Sequence, residues 1–213
     1  MTAGGRGELA LALVLAAVAG FVDAVGFLEL GNLFVSFMSG NSTQLGLALA
    51  QTDWKTATLP AVIIATFLLG VVIGRLLVVV AGGWCRAVVL IVEALLLVLS
   101  LLPTVALHVA VLLMTFAMGL QNTAMHQAAG RKVSLTFMTG MLVRVGEKLS
   151  EAILGGSFKD VVLESLMWFG FILGAVIGAL GFATYGRLAL AAPVGCLALA
   201  GLICCLPSRV AAD

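Results

Sequence analysis

One aspartate, Asp23, lies within a long apolar run that begins near Leu9. At 1.5 Å of rise per residue, a helix that starts at Leu9 carries Asp23 about 20 Å along its axis. That depth is well inside a hydrocarbon core of about 30 Å. An ionisable side chain is costly to insert there, so it indicates a functional role. The alternative is a structural one: the side chain reaches headgroup water or bonds a neighbouring helix.

Two polar interruptions of apolar segments share one motif. Ser36–Gly40 reads Ser-Phe-Met-Ser-Gly and is followed by Asn41, and Thr136–Gly140 reads Thr-Phe-Met-Thr-Gly. Glycine weakens a helix, and irregular backbone at membrane depth is tolerated only inside protein or beside a water-filled cavity. Paired broken helices in two halves of a chain predict a transporter site, with half-helix N-termini directed at a polar or anionic group. Close packing of small residues is the alternative explanation.

Other polar residues accompany these breaks. Gln121 and Asn122 lie near the end of the fifth apolar segment, and Arg144 follows Gly140 by one helical turn. Arg144 would be a natural partner for Asp23 or for an anionic solute, whereas a segment lying on the surface would also explain its charge. The predicted substrate-binding residues are Asp23, Ser36, Ser39, Gly40, Asn41, Gln121, Asn122, Thr136, Thr139, Gly140 and Arg144.

The composition restricts the class of protein. Hydrophobic residues make up 62% of the 213 and charged residues 10%, whereas soluble domains carry about 45–50% and about 25%. We therefore expect an all-α polytopic membrane protein with no extramembrane domain. The apolar segments lie at about 9–29, 33–50, 58–81, 86–102, 105–127, 133–154, 161–183 and 187–206.

An internal repeat organises these segments. We predict one membrane domain over 1–213, with repeat one at about 9–102 and repeat two at about 105–206. Three blocks match in the same order: Ser36–Gly40 with Thr136–Gly140, Gly20–Asp23 with Gly119–Asn122, and Phe67–Gly74 with Phe171–Gly178.

The second and sixth segments decide the topology. If both are re-entrant, six helices cross the bilayer and the repeats are inverted; seven or eight spans are the alternatives. In the six-span arrangement with the N-terminus inside, positive charge is concentrated in the cytoplasm, as bacterial membrane proteins favour. The residues then facing the cytoplasm are Arg6, Arg75, Arg86, Arg131, Lys132, Lys159 and Arg209, while Lys55 and Arg187 face outward.

Familiar catalytic patterns are missing from the sequence. There is no phosphate-binding glycine loop with a lysine, no HExxH, and no serine elbow with a plausible histidine. We therefore predict no enzyme, no cofactor, no metal site and no nucleic-acid partner. Glu29 and Glu93 are either interfacial or part of a proton pathway. The glycine-rich helix faces predict close packing, between the repeats or in a homodimer.

Four blocks carry a resemblance to a known family: Ala19–Phe27, Phe37–Asn41, Gly119–Asn122 and Thr139–Arg144. They resemble the YoaK-like family of uncharacterised bacterial integral membrane proteins, over essentially the whole chain. The resemblance implies a multi-pass protein of the bacterial inner membrane and leaves the activity to the residues themselves.

From the residues, a small secondary transporter or permease is the favoured function. Its partners would be the lipid bilayer and a small polar or anionic solute, bound near the membrane midplane between the two breaks. A passive channel lined by the same polar groups is the first alternative. A scaffold or accessory subunit that transports nothing is the second.

Overall fold

A computed structural model describes the backbone of residues 3–128 and 138–205, and the side chains of 7–123 and 138–205. All the regular structure in these ranges is helical. The helices are α1 Ala3–Leu30, α2 Met38–Ala50, α3 Trp54–Ala81, α4 Cys85–Leu101, α5 Leu107–Ala128, α6 Met138–Ile153, α7 Phe158–Tyr185 and α8 Ala191–Cys205. Each one overlaps one predicted apolar segment.

Three described stretches are apolar and long enough to cross a membrane: Gly7–Leu30, Trp54–Leu101 and Phe158–Cys205. The second and third each contain a 3₁₀ turn that starts at a glycine with positive φ, 52° at Gly82 and 58° at Gly186. Glycine adopts this conformation without the steric cost that other residues meet. The turns divide these stretches into α3 and α4 and into α7 and α8. The prediction of an all-α polytopic membrane protein is confirmed.

Two pairs of long helices form the centre of the bundle. Helix α1 lies against α7, where a Cβ on Gly174 would overlap the backbone of Ala17 and one on Gly178 would lie 2.7 Å from the carbonyl oxygen of Phe21. The order of these contacts is the same along both helices, so α1 and α7 run parallel.

Helix α5 lies against α3 in a matching way. A Cβ on Gly70 would overlap the carbonyl oxygen of Phe116, and one on Gly74 would lie 3.2 Å from the Cα of Leu120. In the predicted alignment Gly70 corresponds to Gly174 and Gly74 to Gly178. The first helix of each predicted repeat thus packs on the third helix of the other. The duplication stays a prediction, and the two helix pairs pack through corresponding glycines.

The small-residue faces are therefore used inside the chain. Gly70 and Gly74 lie against α5, and Gly174 and Gly178 lie against α1. A homodimer through these faces is not supported, since close approach between neighbouring helices already occupies them.

One end of the bundle is marked by Arg187, which follows α7. Its Nε donates to Glu29 at 3.2 Å, and its Nη1 donates to the carbonyl oxygens of Ser100 at 3.2 Å and Val105 at 3.5 Å. The C-terminal ends of α1, α4 and α7 and the start of α5 therefore meet here, at what we call the Glu29 end. The opposite end, called the Arg86 end, carries the ion pair of Arg86 with Glu8 at 3.3 Å.

These directions determine where the two short helices begin and end. Helix α3 runs parallel to α5 and so starts at the Glu29 end, where α1 finishes. Residues 31–53, which include α2, consequently start from the Glu29 end and return to it. By the same reasoning the connection through α6 leaves and returns to the Arg86 end, because α5 finishes and α7 starts there. The helix directions are those that six spans with two re-entrant segments require; the number of crossings stays a prediction.

Asp53 starts α3 outside the apolar stretch. The hydroxyl and the backbone N–H of Thr56 both donate to its carboxylate, at 2.6 and 3.0 Å, and these bonds lower the pKa of Asp53. A capping carboxylate satisfies a backbone N–H that the first helical turn leaves free. The chain therefore turns from α2 into α3 at a defined residue.

Candidate functional site

The chain re-enters the bundle directly after α1. It turns at Gly31 and Asn32, whose φ angles are 63° and 124°, and residues 33–37 run back alongside the helix they have just left. The backbone N–H groups of Val35 and Ser36 donate to Oδ1 of Asp23 at 2.9 and 2.8 Å. Asp23 lies two helical turns before the end of α1, so the segment returns about 10 Å into the bundle.

Asn41 binds the same segment from the other side. Its Oδ1 accepts the N–H of Phe34 at 2.9 Å, and its Nδ2 donates to the carbonyl oxygen of Phe34 at 2.7 Å. Asn41 is fully buried and Asp23 is 5% exposed. Buried backbone groups that lack partners are costly. These two side chains thus provide the hydrogen bonds that a helix or a sheet would otherwise supply.

The expected interruption at Gly40 is displaced by one turn. The irregular backbone precedes Met38, and Gly40 lies inside α2. A Cβ at Gly40 would stand 2.7 Å from the ring of Phe37 and 3.2 Å from that of Phe34. The glycine gives two aromatic rings room to pack on the helix, which is a different role from breaking it. Gly140 likewise lies inside α6.

The first break therefore forms one compact group, which we call the Asp23 cluster: Asp23, Phe34, Val35, Ser36 and Asn41. Ser36 is 3% exposed. Ser39 is exposed in the first turn of α2, where its carbonyl oxygen accepts from the hydroxyl of Thr43 at 3.1 Å.

Gln121 and Asn122 lie nearer to the Arg86 end. Nε2 of Gln121 donates to the carbonyl oxygen of Leu15 on α1 at 3.1 Å, and its Oε1 is buried with no partner among the described residues. Nδ2 of Asn122 donates to the carbonyl oxygen of Met118 at 3.0 Å. Leu15 precedes Asp23 by about two turns of α1, so these amides are separate from the Asp23 cluster.

Arg144 pairs with a different acid from the one expected. Its Nε donates to Oε2 of Glu164 on α7 at 3.0 Å, while its Nη2 is buried and finds no partner in the described parts of the chain. Thr139 is exposed and Gly140 is half-buried at the start of α6. Thr136 lies outside the described residues.

The described residues of the two breaks consequently belong to opposite ends of the bundle. The Asp23 cluster belongs to the Glu29 end, and Arg144 lies on the connection that enters from the Arg86 end. The physical reason is the opposite direction of α1 and α5, which carry the chain to opposite ends of the bundle before each short helix.

An acidic residue that the prediction left undecided occupies the middle of the bundle. Glu93 is the central residue of α4 and is fully buried, and neither carboxyl oxygen has a hydrogen-bond partner among the described residues. Thr115, also fully buried, is central to the apolar part of α5, and its hydroxyl likewise has no partner there. Polar groups buried in this way usually have a function or a partner that appears in another state.

A cavity of about 400 Å³ opens at the Glu29 end. Glu29, Leu101, Tyr185 and Arg187 contribute to its lining, together with the loop between α4 and α5. It combines an ion pair with apolar walls.

A family model described as "Protein of unknown function (DUF1275)" matches residues 11–203. The chain belongs to the DUF1275 family. The UPF0700 transmembrane protein RA0705 of Rhizobium meliloti (strain 1021) is 32% identical over 190 residues, which cover 88% of this chain and 83% of the relative. The UPF0700 transmembrane protein YoaK of Bacillus subtilis (strain 168) is 34% identical over 194 residues, covering 84% and 86%. No solved structure matches.

These relatives confirm the resemblance to the YoaK-like family. Both bear names that describe transmembrane proteins, which agrees with the apolar helices of this DUF1275 chain. The chain is a multi-pass membrane protein.

The position of Glu93 within its apolar segment was a sequence signal that the prediction did not use. Glu93 is the single charged residue between Ala87 and Leu102, and it lies equally far from both ends of α4. The free-energy cost of inserting a charged side chain is highest at the centre of a membrane helix. Position within the segment would therefore have distinguished Glu93 from Glu29, which lies at the end of α1 and forms an ion pair with Arg187.

Proposed function

We propose that this DUF1275 protein is a secondary transporter of the bacterial inner membrane for a small polar or anionic solute. The observation that carries the proposal is the re-entrant segment 31–37, which Asp23 and Asn41 hold at depth between membrane helices. Such irregular backbone recurs in transporters, where its polar groups meet the solute.

The packing of the short helices supports movement at this place. Helix α2 packs on α3, and α6 packs on α7, while the central pairs α1–α7 and α3–α5 are held by close backbone approach. Helix α2 has 13 residues and is about 20 Å long, too short to span the hydrocarbon core. A shift of α2 or α6 would open one end of the bundle without separating the central pairs. Alternating access needs such an element at each end.

The predicted residues would serve this cycle in two groups. The Asp23 cluster, with Ser39 and Gly40, would meet a polar solute at the Glu29 end. Arg144, with Thr139, Gly140 and Thr136, would attract an anionic group from the Arg86 end, since Nη2 of Arg144 has no hydrogen-bond partner among the described residues. Gln121 and Asn122 would line the path between them.

Purified full-length protein in vesicles tests the proposal with a fixed panel of labelled solutes: glycine, urea, acetate, lactate and phosphate. We expect saturable uptake of one class, driven by an ion gradient. Asp23→Asn should abolish the uptake, because it removes the charge while Oδ1 can still accept both backbone N–H groups. Asp53→Asn, an exposed change outside the bundle, is the matched control and should transport normally.

Three results would contradict the proposal. Flux that does not saturate with solute concentration and does not respond to an ion gradient would indicate a channel. No flux of any solute, together with a partner that copurifies in fixed ratio, would indicate an accessory subunit. Unchanged uptake by Asp23→Asn would remove Asp23 from the site.

A further inference from the structure

Glu93 is the most isolated acid in the described part of the chain. Its carboxyl group lies at the centre of α4, is fully buried, and accepts or donates no hydrogen bond to a described residue. A carboxylate without a counter-charge or a donor is strongly disfavoured in such surroundings. The arrangement suits the protonated acid, which carries no net charge.

The charged groups whose side chains the structure describes on the surrounding elements are all engaged or exposed. On α3, Lys55 and Arg75 are exposed, and on α5 His108 is exposed. Arg187, in the turn before α8, is bonded to Glu29 and two carbonyl oxygens, and Arg86 on α4 itself is paired with Glu8. Helix α8 carries cysteines as its only titratable side chains. None of these groups supplies a counter-charge to Glu93.

Thr115 places a second polar group at the same depth. Helices α4 and α5 form an antiparallel hairpin, and Glu93 and Thr115 are equally far from the middle of its loop at Thr104. One turn nearer the Arg86 end, Val89 and Leu120 belong to one apolar cluster, which agrees with this register. The two unpartnered oxygen-bearing side chains thus lie level with each other.

The Glu29-end cavity lies at the end of α4 on one side of Glu93. It reaches Leu101, which is about 12 Å from Glu93 along α4. Ser100, on the same face of α4 as Glu93, is fully buried, and its carbonyl oxygen accepts from Arg187. A buried polar position therefore lies between the cavity and Glu93.

We propose that Glu93 is the proton-binding site of this protein, reached from the Glu29-end cavity, and that its protonation drives the movement of the solute. The second half rests on the proposed transport function. A metal ion does not fit the same place, because dehydrated cations such as Ca²⁺ take six or more oxygen ligands. The described residues contain no group of three or more acidic, histidine or cysteine side chains suited to a metal.

Infrared spectra of the full-length protein in phosphatidylcholine–phosphatidylglycerol vesicles test the proton site directly. Wild type and the control Glu29→Gln should both show the carbonyl band of a protonated carboxylic acid at neutral pH, and the band should disappear in alkali. Glu93→Gln, which keeps the size of the side chain, should lack it. A wild type without the band, or a Glu93→Gln protein that keeps it, overturns the proposal.

Chemical labelling of the wild type covers the case in which Glu93→Gln does not fold. Dicyclohexylcarbodiimide reacts with protonated carboxyl groups: the acid oxygen bonds to the central carbon, and the proton moves to a nitrogen, with no leaving group. Mass spectrometry should find the adduct on the Glu93 peptide at neutral pH and not in alkali. Labelling that is absent at both pH values overturns the proposal.

Coupling is measured separately with whichever panel solute the wild type transports. Glu93→Gln should lose accumulation driven by a proton gradient and retain exchange of labelled for unlabelled solute. Accumulation equal to that of the wild type overturns the coupling. If no panel solute moves while Glu93 still shows its band, the transport function fails and the proton site stands.

Discussion

At the scale of single residues, Asp23 and Asn41 perform a task that their sequence positions do not reveal. Each is polar and buried, and each bonds the backbone of residues 34–36. They therefore stabilise the re-entrant segment whether or not they meet a solute. Substitutions that keep or remove the acceptor oxygen separate these two roles.

Asp23→Ala should destabilise the protein by about 2–6 kcal/mol, since two buried N–H groups lose their acceptor and each costs about 1–3 kcal/mol. Asp23→Asn should cost less, because its amide oxygen can replace Oδ1. Thermal unfolding of the purified protein in detergent measures the order. Equal stability of Asp23→Ala and wild type would show that water replaces the carboxylate and that the segment is not held by Asp23.

At the scale of helices, the sequence predicted the elements well and their contacts poorly. Each apolar segment became one helix because length and hydropathy are local properties. The packing of α1 on α7 depends on Ala17, Gly20, Gly174 and Gly178, which are far apart in the chain. Their small size indicated close approach without naming the partner.

The position of the first break shows the same limit. The motif Ser36–Gly40 correctly marked where the helix pattern changes. The exact place of the break depends on Asp23 and on the rings of Phe34 and Phe37, which are tertiary contacts. Local sequence cannot place a boundary that is decided by partners elsewhere in the fold.

Gly174→Ala and Gly70→Ala should each destabilise the protein by about 1–3 kcal/mol, because the new Cβ meets backbone of a neighbouring helix and the helices must separate. Gly146→Ala is the matched control, since nothing lies within 4 Å of its Cβ position. It should stabilise α6 by up to about 1 kcal/mol. Thermal unfolding compares the three. A large difference between Gly70→Ala and Gly174→Ala would contradict the equivalence of the two helix pairs.

At the scale of the whole molecule, the helix directions give the bundle two different ends. Arg75, Arg86 and Lys159 lie towards the Arg86 end, and Lys55 and Arg187 lie at the Glu29 end. This distribution predicts that the Arg86 end faces the cytoplasm.

Cysteine labelling in a background without the four native cysteines tests this topology. Ser42→Cys and Thr52→Cys should both react with an impermeant maleimide added from outside, because residues 31–53 begin and end at the Glu29 end. Thr139→Cys and Ser157→Cys should react only from the cytoplasmic side. Labelling of Ser42→Cys and Thr52→Cys from opposite sides would show that α2 crosses the bilayer.

The packing of each half's first helix on the third helix of the other half also has a consequence for biosynthesis. A ribosome completes α1 well before α7, against which Ala17 and Phe21 pack, and five of the described helices are made between them. Until α7 enters the bilayer, the closely packed face of α1 has only lipid or an insertion factor to contact. Neither half can reach its final packing alone, so this part of the bundle cannot assemble until α7 has been made.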